Sequence, residues 1–177
     1  MKPKLITLAT LLVAILTLDI VTKRWALSTL GGGNGMDLFG GWVPLTLAFN
    51  RGAAFGIEFG SDPRLFFVPV TVVAVVLLTV LLYHAERGDW LRILSVSLVI
   101  SGAMGNLIDR VRWERGVVDF IGPIDLGFMD WPIFNVADMA ISCGAVMLAF
   151  SFWLEERQLR REAAVEAENT ASTPSMG

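Results

Sequence analysis

The chain has 177 residues, of which 54% are hydrophobic and only 18% are charged, and its formal net charge is −3. A soluble domain of this length could not bury so large an apolar fraction, so the composition is that of an integral membrane protein. The basic residues are scattered and form no stripe, which excludes a nucleic-acid-binding face. The single cysteine, Cys143, can form no internal disulfide, and within an apolar run it is expected to be a buried, inert side chain.

Four apolar segments predict four transmembrane helices, because each approaches the length of about 20 residues that a bilayer requires. The first segment also resembles the hydrophobic part of a signal peptide, but Asp19, Lys23 and Arg24 separate it from the nearest cleavage-like site. The predicted spans are about residues 5–22, 65–83, 93–108 and 136–154. The fold class that follows is an all-α integral membrane protein.

The remaining segments are an insert at residues 31–64 and a tail at residues 163–177. Residues 42–49 (WVPLTLAF) follow a glycine-rich turn and have the composition of short strands, so the insert is expected to carry a small β-sheet. The tail is small and polar and is expected to be disordered, which leaves residues 1–162 as one membrane domain.

Four spans place both termini on one side of the membrane, with the insert and residues 109–135 on the other. Of the 14 lysines and arginines, seven fall on each side, so the positive-inside rule does not orient the chain. This balance suggests that the cations on the insert side serve another purpose.

Residues 106–138 place a surplus of charge between two apolar segments. Among its charged residues are Asp109, Arg110, Asp119, Asp125, Asp130 and Asp138. Carboxylates near hydrocarbon are costly unless paired or hydrated, so they are candidates for function. Two facing carboxylates share one proton, so one can activate water while the other protonates a substrate oxygen. From spacing alone, an equal alternative is that Asp119 is a loop residue and that Asp138 or Asn135 only caps the fourth helix.

Two other classes of function are compatible with these residues. In a transporter, Asp119, Asp138 and Arg110 would bind protons or substrate, but the symmetry-related repeats typical of transporters are not visible. In a non-catalytic scaffold, the insert would be a docking surface. Asp125 and Asp130 lie beside glycine and proline and are expected to be solvated turn residues.

Five motifs around the four spans resemble, in order, those of the bacterial lipoprotein signal peptidase family, also called signal peptidase II. They are residues 19–23 (DIVTK), 50–56 (NRGAAFG), 105–110 (GNLIDR), 117–120 (VVDF) and 134–138 (FNVAD). The resemblance implies that Asp119 and Asp138 are the catalytic pair of an aspartic endopeptidase without cofactor or metal. It also implies cleavage of a prolipoprotein signal peptide N-terminal to a cysteine that carries diacylglycerol.

The same resemblance implies supporting roles for further residues. Positions that match the family are Asn50, Gly52, Asn106, Arg110 and Asn135 around the site, and Asp19 and Lys23 at the outer end of the first helix. The asparagines can donate amide hydrogens, and Gly52 lets a backbone approach closely. Arg110 could pair with Asp109 or orient a substrate carbonyl. For Asp19 and Lys23, the favoured alternative is an i,i+4 pair on a helix surface, worth tenths of a kcal/mol.

The resemblance further implies a location in the bacterial inner membrane, with cytoplasmic termini and the active site near the outer face. Inhibition by globomycin-type cyclic peptides is a property of the family. The expected partners are lipid-modified prolipoprotein substrates and membrane lipids, with no nucleic acid, and the chain is expected to be monomeric.

Overall fold

The computed structural model describes residues 2–33, 35–52 and 62–172. Four long helices run through this part of the chain: α1 (Lys2–Thr29), α2 (Arg64–His84), α3 (Trp90–Arg112) and α4 (Val136–Ser172). Each is long and apolar enough to cross a membrane. The four predicted spans lie within these helices, so the prediction of four transmembrane helices is confirmed.

Helix α3 is the centre of the bundle, because α1, α2 and α4 each pack against it. Small residues allow α3 and α4 to approach closely. A Cβ atom added to Gly102 would lie 2.3 Å from the carbonyl oxygen of Ala137, and one added to Gly144 would lie 2.7 Å from that of Ser95. The start of α4 is therefore held tightly against the second half of α3.

The two ends of the bundle differ. At one end, the Lys4 ammonium donates to three carbonyl oxygens that close the C terminus of α2, those of Leu82, Tyr83 and Ala85. At the same end, Arg92 of α3 pairs with Glu155 of α4 at 2.6 Å. The start of α1 and the distal part of α4 thus lie at one end of the bundle.

The other end, called the sheet end below, carries a three-stranded antiparallel sheet. The strand order is β1 (Met36–Leu38), β2 (Val43–Asn50) and β3 (Val117–Ile121). The insert supplies β1 and β2, as its composition predicted. The third strand, β3, lies within residues 106–138, and its Asp119 pairs with Ala48 of β2. Asp119 is therefore a strand residue and not a loop residue.

A short hairpin follows β3 and leads to α4. Its strands are β4 (Ile124–Asp125) and β5 (Asp130–Trp131). Both aspartates are exposed, and the carboxylate of Asp125 accepts a hydrogen bond from the Gly127 amide at 2.6 Å. Their exposure agrees with the prediction that they are solvated, but they lie in the paired strands of the hairpin and not in its turn.

Two expectations differ from the structure. Residues 163–172 continue α4 and are helical, whereas the sequence predicted disorder; residues 173–177 lie outside the described residues. Alanine and glutamate dominate residues 162–169 and are strong helix formers, so the helix continues beyond its packed part. The second correction is Cys143, which is exposed because Gly144, and not the cysteine, faces α3.

Candidate active site

Asn135 joins the two aspartates that the sequence singles out. Asp119 lies on β3 and is 2% exposed, and Asp138 lies in the first turn of α4. The side-chain amide of Asn135 donates to Asp119 Oδ1 at 2.6 Å, and its backbone N–H donates to Asp138 Oδ2 at 3.2 Å. The two carboxylates therefore flank one asparagine, with β3 supplying one and α4 the other.

Asn135 and Asp138 also form a capping box at the start of α4. The backbone N–H of Asp138 donates to Asn135 Oδ1 at 2.9 Å, which is the reciprocal of the bond from Asn135 N to the carboxylate. The capping interpretation is thus correct for both residues. It does not compete with a role in the site, because the same geometry fixes the Asp138 carboxylate in space.

Asn106 connects this pair to the interior of the bundle. Its Nδ2 donates to Asp138 Oδ1 at 2.7 Å. Its Oδ1 accepts from Asn135 Nδ2 at 3.1 Å and from the Lys23 ammonium at 3.3 Å. Because two donors face Oδ1, the amide has one orientation in which every partner is satisfied, and in it the N–H points at Asp138.

Lys23 is the centre of a buried charge cluster. Its Nζ lies 2.7 Å from Asp19 Oδ2 and 2.9 Å from Asp109 Oδ2. Backbone amides complete the cluster, since Ala137 N donates to Asp19 at 3.0 Å and Val118 N donates to Asp109 at 3.3 Å. The cluster therefore ties α1 and α3 to the starts of β3 and α4.

The interpretation of Asp19 and Lys23 as a surface pair is wrong. The i,i+4 contact exists, but Asp19 is 1% exposed and Lys23 is 4% exposed. Close packing at Gly105 covers them, since a Cβ atom there would lie 2.9 Å from Asp19 Oδ2. Asp109 is expected from sequence to position Arg110, whereas its carboxylate contacts Lys23 and Val118 N instead.

Arg110 stands beside the carboxylates with an unused donor. Its guanidinium lies 5.4 Å from the centroid of the Phe67 ring, and Asp138 and Asp119 are among its charged neighbours. In the part of the chain that the structure describes, its Nε is buried without a hydrogen-bond partner. A buried donor left open beside two carboxylates is available to a substrate oxygen.

Asn50 and Gly52 close the site from the end of β2. The Gly52 amide donates to Asn50 Oδ1 at 2.7 Å, and the Asn50 side chain also hydrogen-bonds to Asp119. Gly52 has φ of +102°, and a Cβ atom there would lie 2.1 Å from the Phe67 ring. The close approach expected at Gly52 is thus made by an aromatic ring. Residues 53–56 of the same motif lie outside the described residues.

Two contributors to the site carry no sequence signal of their own. Phe67 lies within the apolar span α2, yet its ring contacts both Gly52 and Arg110. The backbone amide of Ala137 holds Asp19, and a backbone group leaves no mark in a sequence. Only the tertiary arrangement reveals them.

The environment of Asp119 favours its protonated form. Burial raises the pKa of this carboxyl to about 7, and the charge of Asp138 acts in the same direction. Hydrogen bonds from Asn50 and Asn135 and the charge of Lys23 oppose the rise. A carboxyl group with this pKa can hold a proton near neutral pH and release it at little cost, which suits acid–base chemistry.

Known proteins resemble this chain over most of its length. The model of the signal peptidase (SPase) II family matches residues 11–154. A lipoprotein signal peptidase of Hydrogenovibrio crunogenus is 38% identical over 164 residues, which are 91% of this chain and 94% of that protein. One from Clostridium tetani is 40% identical over 131 residues, 74% of this chain and 82% of that protein.

Solved structures extend the likeness to the fold. A bacterial membrane enzyme determined by the in meso method at 1.9 Å has a TM-score of 0.74 at 29% identity, over 82% of this chain and 92% of that chain. Another, at 2.3 Å, has a TM-score of 0.73 at 28% identity, over 85% and 89%. The arrangement of four apolar helices with a small sheet is therefore that of a multi-pass membrane enzyme. The chain belongs to the signal peptidase II family.

Proposed function

We propose that this membrane protease is an aspartic endopeptidase whose working groups are Asp119 and Asp138, and that it removes signal peptides from lipid-modified prolipoproteins. The observation that carries the proposal is the bridge through Asn135, which donates to Asp119 at 2.6 Å and to Asp138 at 3.2 Å. Two carboxylates held by one residue, through its side-chain amide and its backbone N–H, support an acid–base pair for metal-independent peptide hydrolysis.

In the proposed mechanism, water attacks the scissile carbonyl carbon while the ionised carboxylate takes its proton. The protonated carboxyl group gives its proton to the carbonyl oxygen, which forms a neutral tetrahedral diol. Collapse of the diol then breaks the C–N bond. The carboxyl group that took the proton of water gives it to the leaving nitrogen, and the other carboxylate takes a proton from a diol hydroxyl.

We assign the acid to Asp119 and the base to Asp138. Asp119 is 2% exposed, and burial raises its pKa to about 7. Both oxygens of Asp138 accept N–H hydrogen bonds, from Asn106 and from the Asn135 backbone, at the N terminus of α4. These hydrogen bonds hold the Asp138 carboxylate in one orientation, from which it can accept a proton of the attacking water.

Arg110 is proposed to bind the peptide near the cleaved bond. Its Nε has no hydrogen-bond partner among the described residues, and its charge lies beside both aspartates. A peptide carbonyl oxygen of the substrate would satisfy this donor. Asn50, Asn106, Asn135 and the pair Asp19–Lys23 then hold the carboxylates in place.

The proposed substrate carries diacylglycerol on the cysteine that follows the cleaved bond, as the relatives named lipoprotein signal peptidase suggest. Acyl chains would add binding free energy at about 0.8 kcal/mol per buried CH₂. The test is to incubate purified protein with matched precursors that carry or lack the diacylglyceryl group. Release of a product whose first residue is the modified cysteine, with slow cleavage of the unmodified precursor, is expected. Equal cleavage of both would contradict the proposed substrate, and no cleavage of either would contradict the function.

The proposed location is the bacterial inner membrane, with a monomeric chain, cytoplasmic termini and the sheet end at the outer face. Lys4 and Glu155 mark one end of the bundle and the aspartates lie towards the other. Reporter fusions after residue 162 and within residues 31–35 should report opposite sides. The same side for both fusions would contradict this topology.

A further inference from the structure

A groove that excludes the two working carboxylates lies between the sheet-end turns of α1 and α3. Its volume of about 460 Å³ is within the range of small-ligand sites. Ile20 and Leu27 of α1 and Ile108 of α3 form its apolar walls. The function proposed above leaves this groove without a role.

Two arginines, Arg24 and Arg112, line the groove and carry its exposed positive charge. In the ranges 2–33, 35–52 and 62–172, neither has a carboxylate within salt-bridge distance; the Arg112 guanidinium instead lies 5.4 Å from the centroid of the Trp113 ring. The deepest charged groups in the groove, Lys23 and Asp109, already neutralise each other at 2.9 Å. The two arginines are thus free to attract an anion.

The surroundings of the groove indicate an anion that belongs to the membrane. Val21 and Val111 beside it are 57% and 64% exposed, so the apolar walls continue onto the outer surface of two spanning helices. Trp113 also lines the groove, and indole rings favour the boundary between hydrocarbon and water. An amphiphile could place an anionic group at the arginines and its chains along this surface.

We propose that this groove binds the phosphodiester of an anionic phospholipid, with Arg24 and Arg112 as its ligands. Guanidinium groups bind phosphate through paired N–H donors, and cations beside a membrane attract anionic lipids. Free phosphate would make no contact with the apolar walls. A zwitterionic headgroup would bring its own positive group close to the two arginines, which would repel it. The proposal also gives a use to two of the seven cations on the insert side. It does not depend on the cleavage chemistry.

Native mass spectrometry of the full chain in detergent can test this site. Wild-type protein should retain phosphatidylglycerol at a detergent concentration at which it loses phosphatidylcholine. Arg24→Gln/Arg112→Gln should weaken retention about tenfold or more, since each cation contributes to the attraction of an anionic lipid. The matched control is Arg87→Gln/Arg161→Gln, which removes the same charge from exposed positions outside the groove.

A third variant tests the groove without changing charge. Ser28 is exposed and lines the groove, so Ser28→Trp should fill it and displace the lipid while thermal stability is kept. Three results would overturn the proposal: equal lipid loss in both double arginine variants, undiminished retention in Ser28→Trp, or displacement of phosphatidylglycerol by inorganic phosphate. The first would indicate general charge attraction, and the third a site for a free anion.

Discussion

Asn135 caps α4, and its side-chain amide also donates a hydrogen bond of 2.6 Å to Asp119. One side chain therefore links a strand carboxylate to the helix that carries the other carboxylate. The cap determines where α4 begins, and the beginning of α4 determines where Asp138 lies. Local helix chemistry and the geometry of the site are consequently inseparable at this residue.

Substitution of Asn135 can separate capping from the proposed catalysis. Serine is a good N-cap but is too short to keep the amide contact with Asp119, whereas alanine provides neither. We expect both variants to lose most cleavage activity. Asn135→Ala should also be less stable than Asn135→Ser by about 1 kcal/mol, as measured by unfolding in detergent. Full activity in Asn135→Ser would show that capping alone explains the residue.

Removal of Lys23 should destabilise the protein strongly. Lys23→Met leaves Asp19 and Asp109 buried without their cation, and loss of one partner from a buried pair costs about 3–5 kcal/mol. The triple variant Asp19→Asn/Lys23→Met/Asp109→Asn removes the unpaired charges and should recover much of that loss. Unfolding measurements on the two variants test this. An unchanged midpoint in Lys23→Met would contradict the buried cluster.

Close packing of α3 on α4 is predicted to set the position of Asp138. A Cβ atom on Gly102 would lie 2.3 Å from the Ala137 carbonyl oxygen, so Gly102→Ala must shift the start of α4. We expect a loss of about 1–3 kcal/mol in stability and a larger fractional loss in kcat than in substrate binding. Gly88→Ala is the matched control, since nothing lies within 4 Å of its added Cβ atom. Equal effects of the two substitutions would contradict this role of Gly102.

The sequence predicted the helices well because their signal is local. An apolar segment of about 20 residues has few alternatives to a span, and α2 matches its predicted bounds to within one residue at each end. The insert strands were predicted from composition as well. Asp119 and Asp138 could be identified as candidate catalytic residues because carboxylates between apolar spans are unusual. The resemblance then distinguished them from Asp125 and Asp130.

The contacts around the site were not predictable from spacing. Nothing in the sequence shows that Asp19 and Lys23 become buried, because their burial depends on how closely α3 approaches at Gly105. Spacing also left the partner of Asp109 open: the nearest cation in sequence is Arg110, whereas the structure pairs Asp109 with Lys23. The extension of α4 beyond residue 162 differs from the disorder that the polarity of this segment predicts, because alanine and glutamate are strong helix formers.

The pH dependence of cleavage should reflect Asp119. Its pKa is raised from 3.8 to about 7, so the protonated acid is present below that pH and is lost as the pH rises through it. We expect kcat/KM to fall about tenfold per pH unit above the pKa. The Asn135 hydrogen bond lowers this pKa, so the residual activity of Asn135→Ser should persist to higher pH. A profile that stays flat from about pH 6 to 9 would contradict the assignment of the acid.

The most direct test replaces each proposed catalytic carboxylate by its amide and measures cleavage of a diacylglyceryl-modified precursor. Asp119→Asn and Asp138→Asn should each lower kcat about a thousandfold or more, because each removes one half of the acid–base pair. Asp125→Asn and Asp130→Asn, which change exposed hairpin carboxylates in the same way, should stay within about twofold of wild type. Undiminished cleavage by a folded Asp119→Asn or Asp138→Asn protein would contradict the two-carboxylate site.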